Sequence, residues 1–132
     1  MSAFNLAMSY NKKHAVSGTY PSQQLDYPNA VVSTGPVAPM ASGTVRWTED
    51  GLQLTWVDNS AEERAAHSDH LIVLMVFTGE PHTEFLSNGA YRDQCSQFIP
   101  LNPSLVGKPV HVYTAFSSYD GNAVSPSSYI GL

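Results

Sequence analysis

The sequence predicts a mainly β domain, an antiparallel sandwich of about seven strands preceded by a short N-terminal helix and an extended Pro-rich segment. Three observations carry this. From Thr44 onward, turn formers at intervals of about 8–15 residues separate short runs rich in Val, Ile, Thr, Tyr and Phe. Only 13% of the 132 residues are charged, about half the usual share, while Gly and Pro stand at nine each. The stretch Thr44 to Asn59, T-V-R-W-T-E-D-G-L-Q-L-T-W-V-D-N, alternates apolar and polar residues around Asp50-Gly51, a strong short hairpin signal.

Taken in order, Ser2 is placed to cap a helix over Ala3 to about Lys13, which Gly18 closes. Thr19 to Pro39 holds four prolines; each fixes its own φ and restricts the residue before it, so this stretch is extended. Ala30 to Ser33 is short strand material within it, suited to an edge. An Asp50-Gly51 turn sets Trp47 opposite Leu54, Val45 opposite Trp56 and Arg46 opposite Thr55, and aims Trp56 at the next core strand. Asn59 to Asp69 concentrates charge and reads as a solvated loop. Leu71 to Phe77, L-I-V-L-M-V-F, is apolar without alternation, which predicts a central strand buried on both faces. Asn88-Gly89 predicts a second hairpin or a tight connection within Thr83 to Arg92. Cys95 to Ile99 is a strand stopped by Pro100, and Val110 to Ser117 is another. Asp120-Gly121 then turns the chain toward Ala123 to Ser125 and a final Tyr129-Ile130. Residues 1–39 are expected to pack on a sandwich of residues 40–132 as one structural domain.

Composition also bounds function. With six Lys and Arg and a formal charge of −5, the chain cannot cover a phosphate backbone, so nucleic acid is not an expected partner. The longest apolar run is far too short to span a bilayer as a helix, and membrane insertion is not expected. The first residues do not read as a signal peptide, because the Lys12-Lys13 pair follows the apolar residues rather than preceding them. Cys95 is the single cysteine, so no intrachain disulfide forms, and it reads as a small buried hydrophobe.

From Trp56 onward the layout is similar to immunoglobulin and fibronectin type III domains. A Trp late in the second strand, an apolar third strand, and L-x-P-x-x-x-G-x-x-V-x-V-Y over Leu101 to Tyr113 before an Asp-Gly turn carry this likeness. A closer resemblance rests on F-N-x-A-x-S-Y-N (Phe4 to Asn11), A-V-S-G-T-Y-P (Ala15 to Pro21) and L-D-Y-P-N-A-V-V-S-T-G (Leu25 to Gly35). It continues through L-T-W-V-D-N-S (Leu54 to Ser60), G-A-Y-R-D (Gly89 to Asp93) and V-x-V-Y-x-x-F-x-S-x-D-G-x-x-V-S-x-S-x-Y-I-G (Val110 to Gly131). In these blocks the chain is similar to a Bacteroidota family defined only as a domain of unknown function. The resemblance implies no catalytic residues. It also implies members with a Gly-rich, basic segment ahead of the first block, so the chain is expected to be a shortened or short member.

No P-loop, nucleophile elbow, dinucleotide fingerprint or C-x-x-C pair occurs. His67 and His70 are the best metal-ligand candidates, but they need two further ligands from elsewhere, with Glu62, Glu63 or His82 as the candidates. The carboxylates Glu49, Asp50, Asp58, Glu62, Glu63, Asp69, Glu80 and Glu84 suit solubility better than glycoside chemistry. Tyr113 is expected to pack or hydrogen-bond across the sandwich in the manner of a tyrosine corner. The leading expectation is therefore a non-enzymatic structural or interaction module, part of a larger protein or assembly, needing no cofactor. Its expected partner is protein, including self-association through the helix residues Phe4 and Met8 or through an edge strand. The alternative is a small-ligand or carbohydrate-binding module using Tyr20, Tyr27 or Tyr91 on an exposed face.

Overall fold

The computed structural model describes residues 16–17, 24–25, 30–79 and 82–131. The expected helix over Ala3 to Lys13 lies outside the described residues, as do Phe4, Met8, Tyr20, Tyr27 and Glu80. Nine strands are described: β1 (Val16–Ser17), β2 (Gln24–Leu25), β3 (Ala41–Trp47), β4 (Gly51–Val57), β5 (His70–Phe77), β6 (His82–Leu86), β7 (Ser96–Pro100), β8 (Val110–Ser117) and β9 (Ser128–Gly131). The first two form a small antiparallel pair. The remaining seven form two antiparallel sheets, ordered β3-β4-β7 and β6-β5-β8-β9.

The two sheets share one core. Leu52, Leu54 and Trp56 of β4 enclose, with Leu71, Val73, Met75 and Phe77 of β5 and Val110, Val112 and Phe116 of β8, a continuous apolar cluster. Burying each such side chain contributes about 1.5–3 kcal/mol. β5 is central in its sheet, as its apolar run predicts. Its two faces are not equivalent, however: the odd-numbered residues are buried in the core, whereas Ile72, Leu74 and Val76 are half-buried on the outer face.

The first hairpin forms with a different register from the expected one. Trp47 pairs with Leu52, Val45 with Leu54 and Thr44 with Thr55. Thr48 N–H donates to the Gly51 carbonyl at 2.8 Å, so Glu49 and Asp50 are the connecting residues. The Thr48 hydroxyl holds this turn by accepting from the Asp50 and Gly51 amides. Neither Asp50 nor Gly51 has positive φ, which rules out the I′ turn. Gly51 instead opens β4, where a Cβ would stand 2.0 Å from the Ile99 carbonyl oxygen of β7. Glycine is there for the approach of the neighbouring strand. The register moves by two residues, which keeps each side chain on its intended face.

Of the two readings of Asn88-Gly89, the connection forms and the hairpin does not. β6 folds back directly on β5, with Phe77 opposite His82 and Val73 opposite Leu86, so the reversal lies between Phe77 and His82. Asn88-Gly89 belongs to the crossover to the other sheet. That crossover satisfies the start of β5: Gly89 N–H donates to Leu71 O, Leu71 N–H donates to Ala90 O, and Tyr91 bridges His70. A short 3-10 turn, Arg92–Gln94, and Cys95 in the left-handed region then lead into β7. Cys95 is half-buried rather than buried, because it terminates this turn.

Residues 30–37 are not a strand. They form a strap along the segment that leads into β9, with Ser33 Oγ donating to Ser125 O and Ser127 N–H donating to Ser33 O. Val37 N–H donates to Val124 O, and at Gly35 the same carbonyl comes so near that a Cβ would lie 2.1 Å from it. Val124 makes one bridge, to Ser117, so the last strand is β9 alone. β3 touches β9 across the sheet edges; the sandwich is thus closed on that side, and β6 and β7 lie on the opposite one.

Candidate functional site

The most connected polar centre among the described residues surrounds Arg92, whose side chain is fully buried. Its Nε and Nη2 reach Asp69 Oδ2 at 3.0 and 2.9 Å. Nη1 donates to Asn59 Oδ1 at 2.7 Å and to the Pro39 carbonyl at 3.3 Å, and Nη2 donates to the Ala38 carbonyl at 2.7 Å. Four hydrogen bonds and the ion pair to Asp69 thus engage all three nitrogens of the guanidinium. The Phe116 ring lies beneath the guanidinium carbon, 4.2 Å from its centroid.

Each partner is positioned by its own element. Asp69 precedes β5 and also accepts from Ala66 N–H, while its carbonyl accepts from Arg92 N–H. Asn59 follows β4 and uses its amide nitrogen on the Pro39 carbonyl and on Glu62 Oε2. Trp56 Nε1–H donates to the Arg92 carbonyl at 2.7 Å, and its ring meets Phe116 edge-on at 5.8 Å. The strap, both sheets and the 59–69 loop therefore converge on one cation. The cation is fully buried and each of its nitrogens is held within the fold, so the arrangement works as a lock between these segments.

Asn59 to Asp69 is a loop, but its two ends are buried on Arg92 instead of solvated. Asp58 lies just outside; the Ser60 hydroxyl and amide donate to it and hold its carboxyl below the usual range. Asp120 is lowered likewise by Ser118 and Asn122. These carboxylates are thus satisfied within local turns. His67 is exposed in the loop, while His70 opens β5, half-buried, opposite Ser117. His82 pairs instead with Glu84 on its own strand, at 2.7 Å. Among the described residues no group of three or more His, Cys, Asp or Glu is arranged to hold a metal ion. Nor is any helix among them long and apolar enough to cross a membrane.

Tyr113 departs from the tyrosine-corner expectation. It is buried, but on the outer face of the four-stranded sheet, because the inward positions of β8 belong to Val110, Val112 and Phe116. There it meets Ala30 and lies 5.4 Å from the Tyr129 ring. Tyr91, of the three candidate ligand-binding tyrosines, is 45% exposed.

His111 shares the outer face, with Nδ1 2.6 Å from the Tyr129 hydroxyl. Burial lowers its pKa below the ordinary histidine value. The folded state thus favours the neutral ring, and as pH falls below about 6.5 the unfolded chain takes up this proton first. Stability is full above that pH and is lost as pH drops toward the lowered folded value. We expect the thermal midpoint to fall between pH 7.5 and pH 5 more steeply in the wild type than in His111→Gln. Equal slopes would show that His111 does not carry the pH response.

No curated protein and no solved structure gives a significant match to this chain. One family model covers it almost end to end, over residues 1–131, and on that match the chain belongs to the Family of unknown function (DUF6266).

Proposed function

We propose that the domain is a non-enzymatic interaction module with a fibronectin type III-like plan, which takes an extended segment of a partner protein along the outer edge of β7. The distribution of strands supports the plan: the first, second and fifth of the seven form one sheet, and the third, fourth, sixth and seventh the other. That assignment is the one expected of a sandwich whose fourth strand joins the third, sixth and seventh. The observation that carries the interaction is β7 itself. Among the described residues it has a single neighbour, β4, and it presents Phe98, 40% exposed, on the side away from the core. An edge strand offers a row of backbone groups to an incoming strand, and the exposed ring gives one side-chain contact for selectivity. Pro100 at its end limits the length of any added strand, as prolines do at sheet edges.

Selection of short peptides against the full chain, followed by amide chemical-shift mapping, tests this. Bound peptides should shift β7 resonances, and Phe98→Lys should weaken them by at least about tenfold, near 1.4 kcal/mol, without lowering the melting temperature. Binding that maps elsewhere, or that ignores the lysine, would refute the edge as the docking site.

A further inference from the structure

The ladder between β4 and β7 fixes which backbone groups β7 turns outward. Trp56 N–H donates to the Cys95 carbonyl and Leu101 N–H to the Asp50 carbonyl, so the odd-numbered residues of this segment turn their N–H and C=O groups toward β4. The even-numbered ones, Ser96, Phe98 and Pro100, turn theirs away from it. Pro100 has no N–H, so the edge presents the donors of Ser96 and Phe98 and the acceptors of all three. The side chains of these three residues are exposed on the face away from the core. No residue of β7 is charged, although charge is a usual means of keeping edge strands apart. The Gln97 side chain donates to the Phe98 carbonyl at 2.7 Å, which leaves that oxygen a second lone pair. Leu54 takes the same contact from Gln53 and is paired with Gln97 in the ladder all the same.

This pattern of donors and acceptors matches the same strand turned end for end. With Phe98 on a two-fold axis, Ser96 lies opposite Pro100 of the second copy and Gln97 opposite its Ile99. Phe98 N–H then donates to the Phe98 carbonyl across the axis and Ser96 N–H to the Pro100 carbonyl, and the symmetric bonds are returned. Both outward donors of each strand are used. The missing donor of Pro100 falls against a Ser96 carbonyl at the end of the strand, where water reaches it. The two Phe98 rings meet on the exposed face as a cross-strand aromatic pair. Resting on the reading of β7 as the docking edge, we infer that the segment it takes is β7 of a second copy of this chain, which joins the two three-stranded sheets into one. The copies approach where the strand bears no charge, so the net charge of −5 on each chain opposes the contact least there. Two five-residue strands bury far less than the roughly 1,200–2,000 Å² of a standard interface, so the dimer is weak and forms as concentration rises.

Two variants of the full chain test the register, Ser96→Cys and Pro100→Cys, each in a Cys95→Ser background. Both positions are exposed. Residues directly opposite across the axis stand about 5.5 Å apart at Cα, within disulfide reach, whereas two copies of either position alone lie about four residues, roughly 13 Å, apart. Mixed in a glutathione redox buffer, the two variants should form a disulfide-linked heterodimer at least about tenfold faster than either forms a homodimer, because pairing raises the effective thiol concentration. Adding Phe98→Lys to both should remove that advantage. In the unmodified chain, raising the concentration should shift the amide resonances of Ser96 and Phe98 and leave those of β6 in place. Cross-linking of either variant alone as fast as the mixture, or concentration-dependent shifts at β6 or nowhere, would overturn the inference. Selected peptides that bind β7 while copies do not pair would sink the self-pairing and leave the docking edge standing; if neither peptide nor copy engages β7, both fall.

Discussion

Arg92→Ala is expected to unfold the domain at ambient temperature or to lower its stability by about 3–5 kcal/mol. Against the roughly 5–15 kcal/mol that holds a typical domain folded, this is a large fraction. The substitution leaves the Asp69 carboxylate buried beside no cation, and it strips the Ala38 carbonyl and Asn59 Oδ1 of the donors that Arg92 supplies. Each orphaned buried group costs about 1–3 kcal/mol. It also removes the guanidinium from the Phe116 face. Arg92→Lys should recover little, since one ammonium with three donors cannot replace a planar fork that makes five contacts toward three segments. Asp69→Asn should cost less than Arg92→Ala, because its amide oxygen can still accept from Nε. Urea titrations of the three variants provide the comparison. A loss below about 1 kcal/mol for Arg92→Ala, within the range of ordinary surface substitutions, would mean that the strap and loop hold without their cation.

Why the sequence shows some of this and hides the rest follows from the range of the forces involved. The strands themselves are legible, because apolar runs, alternation and bounding turn residues act over a few neighbours. Leu71 to Phe77 and Val110 to Ser117 read correctly for that reason. Turn chemistry was misleading where a distant strand competes for the same residue. Asp50-Gly51 has the composition of a turn, but Gly51 answers to Ile99, far along the chain. Asn88-Gly89 likewise looks like a hairpin until the unpaired start of β5 claims its backbone. The Arg92 lock had no local signature at all. Its partners at positions 38, 39, 59 and 69 are brought together only by the closed sandwich. The one available hint was the pair of blocks containing Trp56-Val57-Asp58-Asn59 and Tyr91-Arg92-Asp93, whose polar residues need a reason to stand in a chain so poor in charge. The apolar outer face was legible as an excess: β5 has more hydrophobic residues than one core face requires.

Trp56→Ala should cost about 3–5 kcal/mol, as for other large core aromatics, whereas Trp47→Ala should cost about 1–2 kcal/mol. Both indoles lie in the same hairpin, so propensity and chain position cannot separate them. Burial does: Trp56 is 5% exposed, while Trp47, paired with Leu52 near the turn, is only half-buried. The larger effect has two parts. Truncation opens a cavity against Phe116, and it leaves the Arg92 carbonyl without the indole N–H that satisfies it. Trp56→Phe separates them, since a phenyl ring retains much of the packing and none of the hydrogen bond; about 1–3 kcal/mol should remain. Because Trp56, Phe116 and Arg92 form one contiguous stack, the losses should not add. A double-mutant cycle of Trp56→Phe with Phe116→Leu should give a coupling of about 0.5–1.5 kcal/mol, the value of an aromatic pair beyond its buried area. Denaturant midpoints for the four proteins measure it. Equal and small effects of the two Trp→Ala changes, with no coupling, would place the core away from β4 and remove the basis for the sheet packing described above.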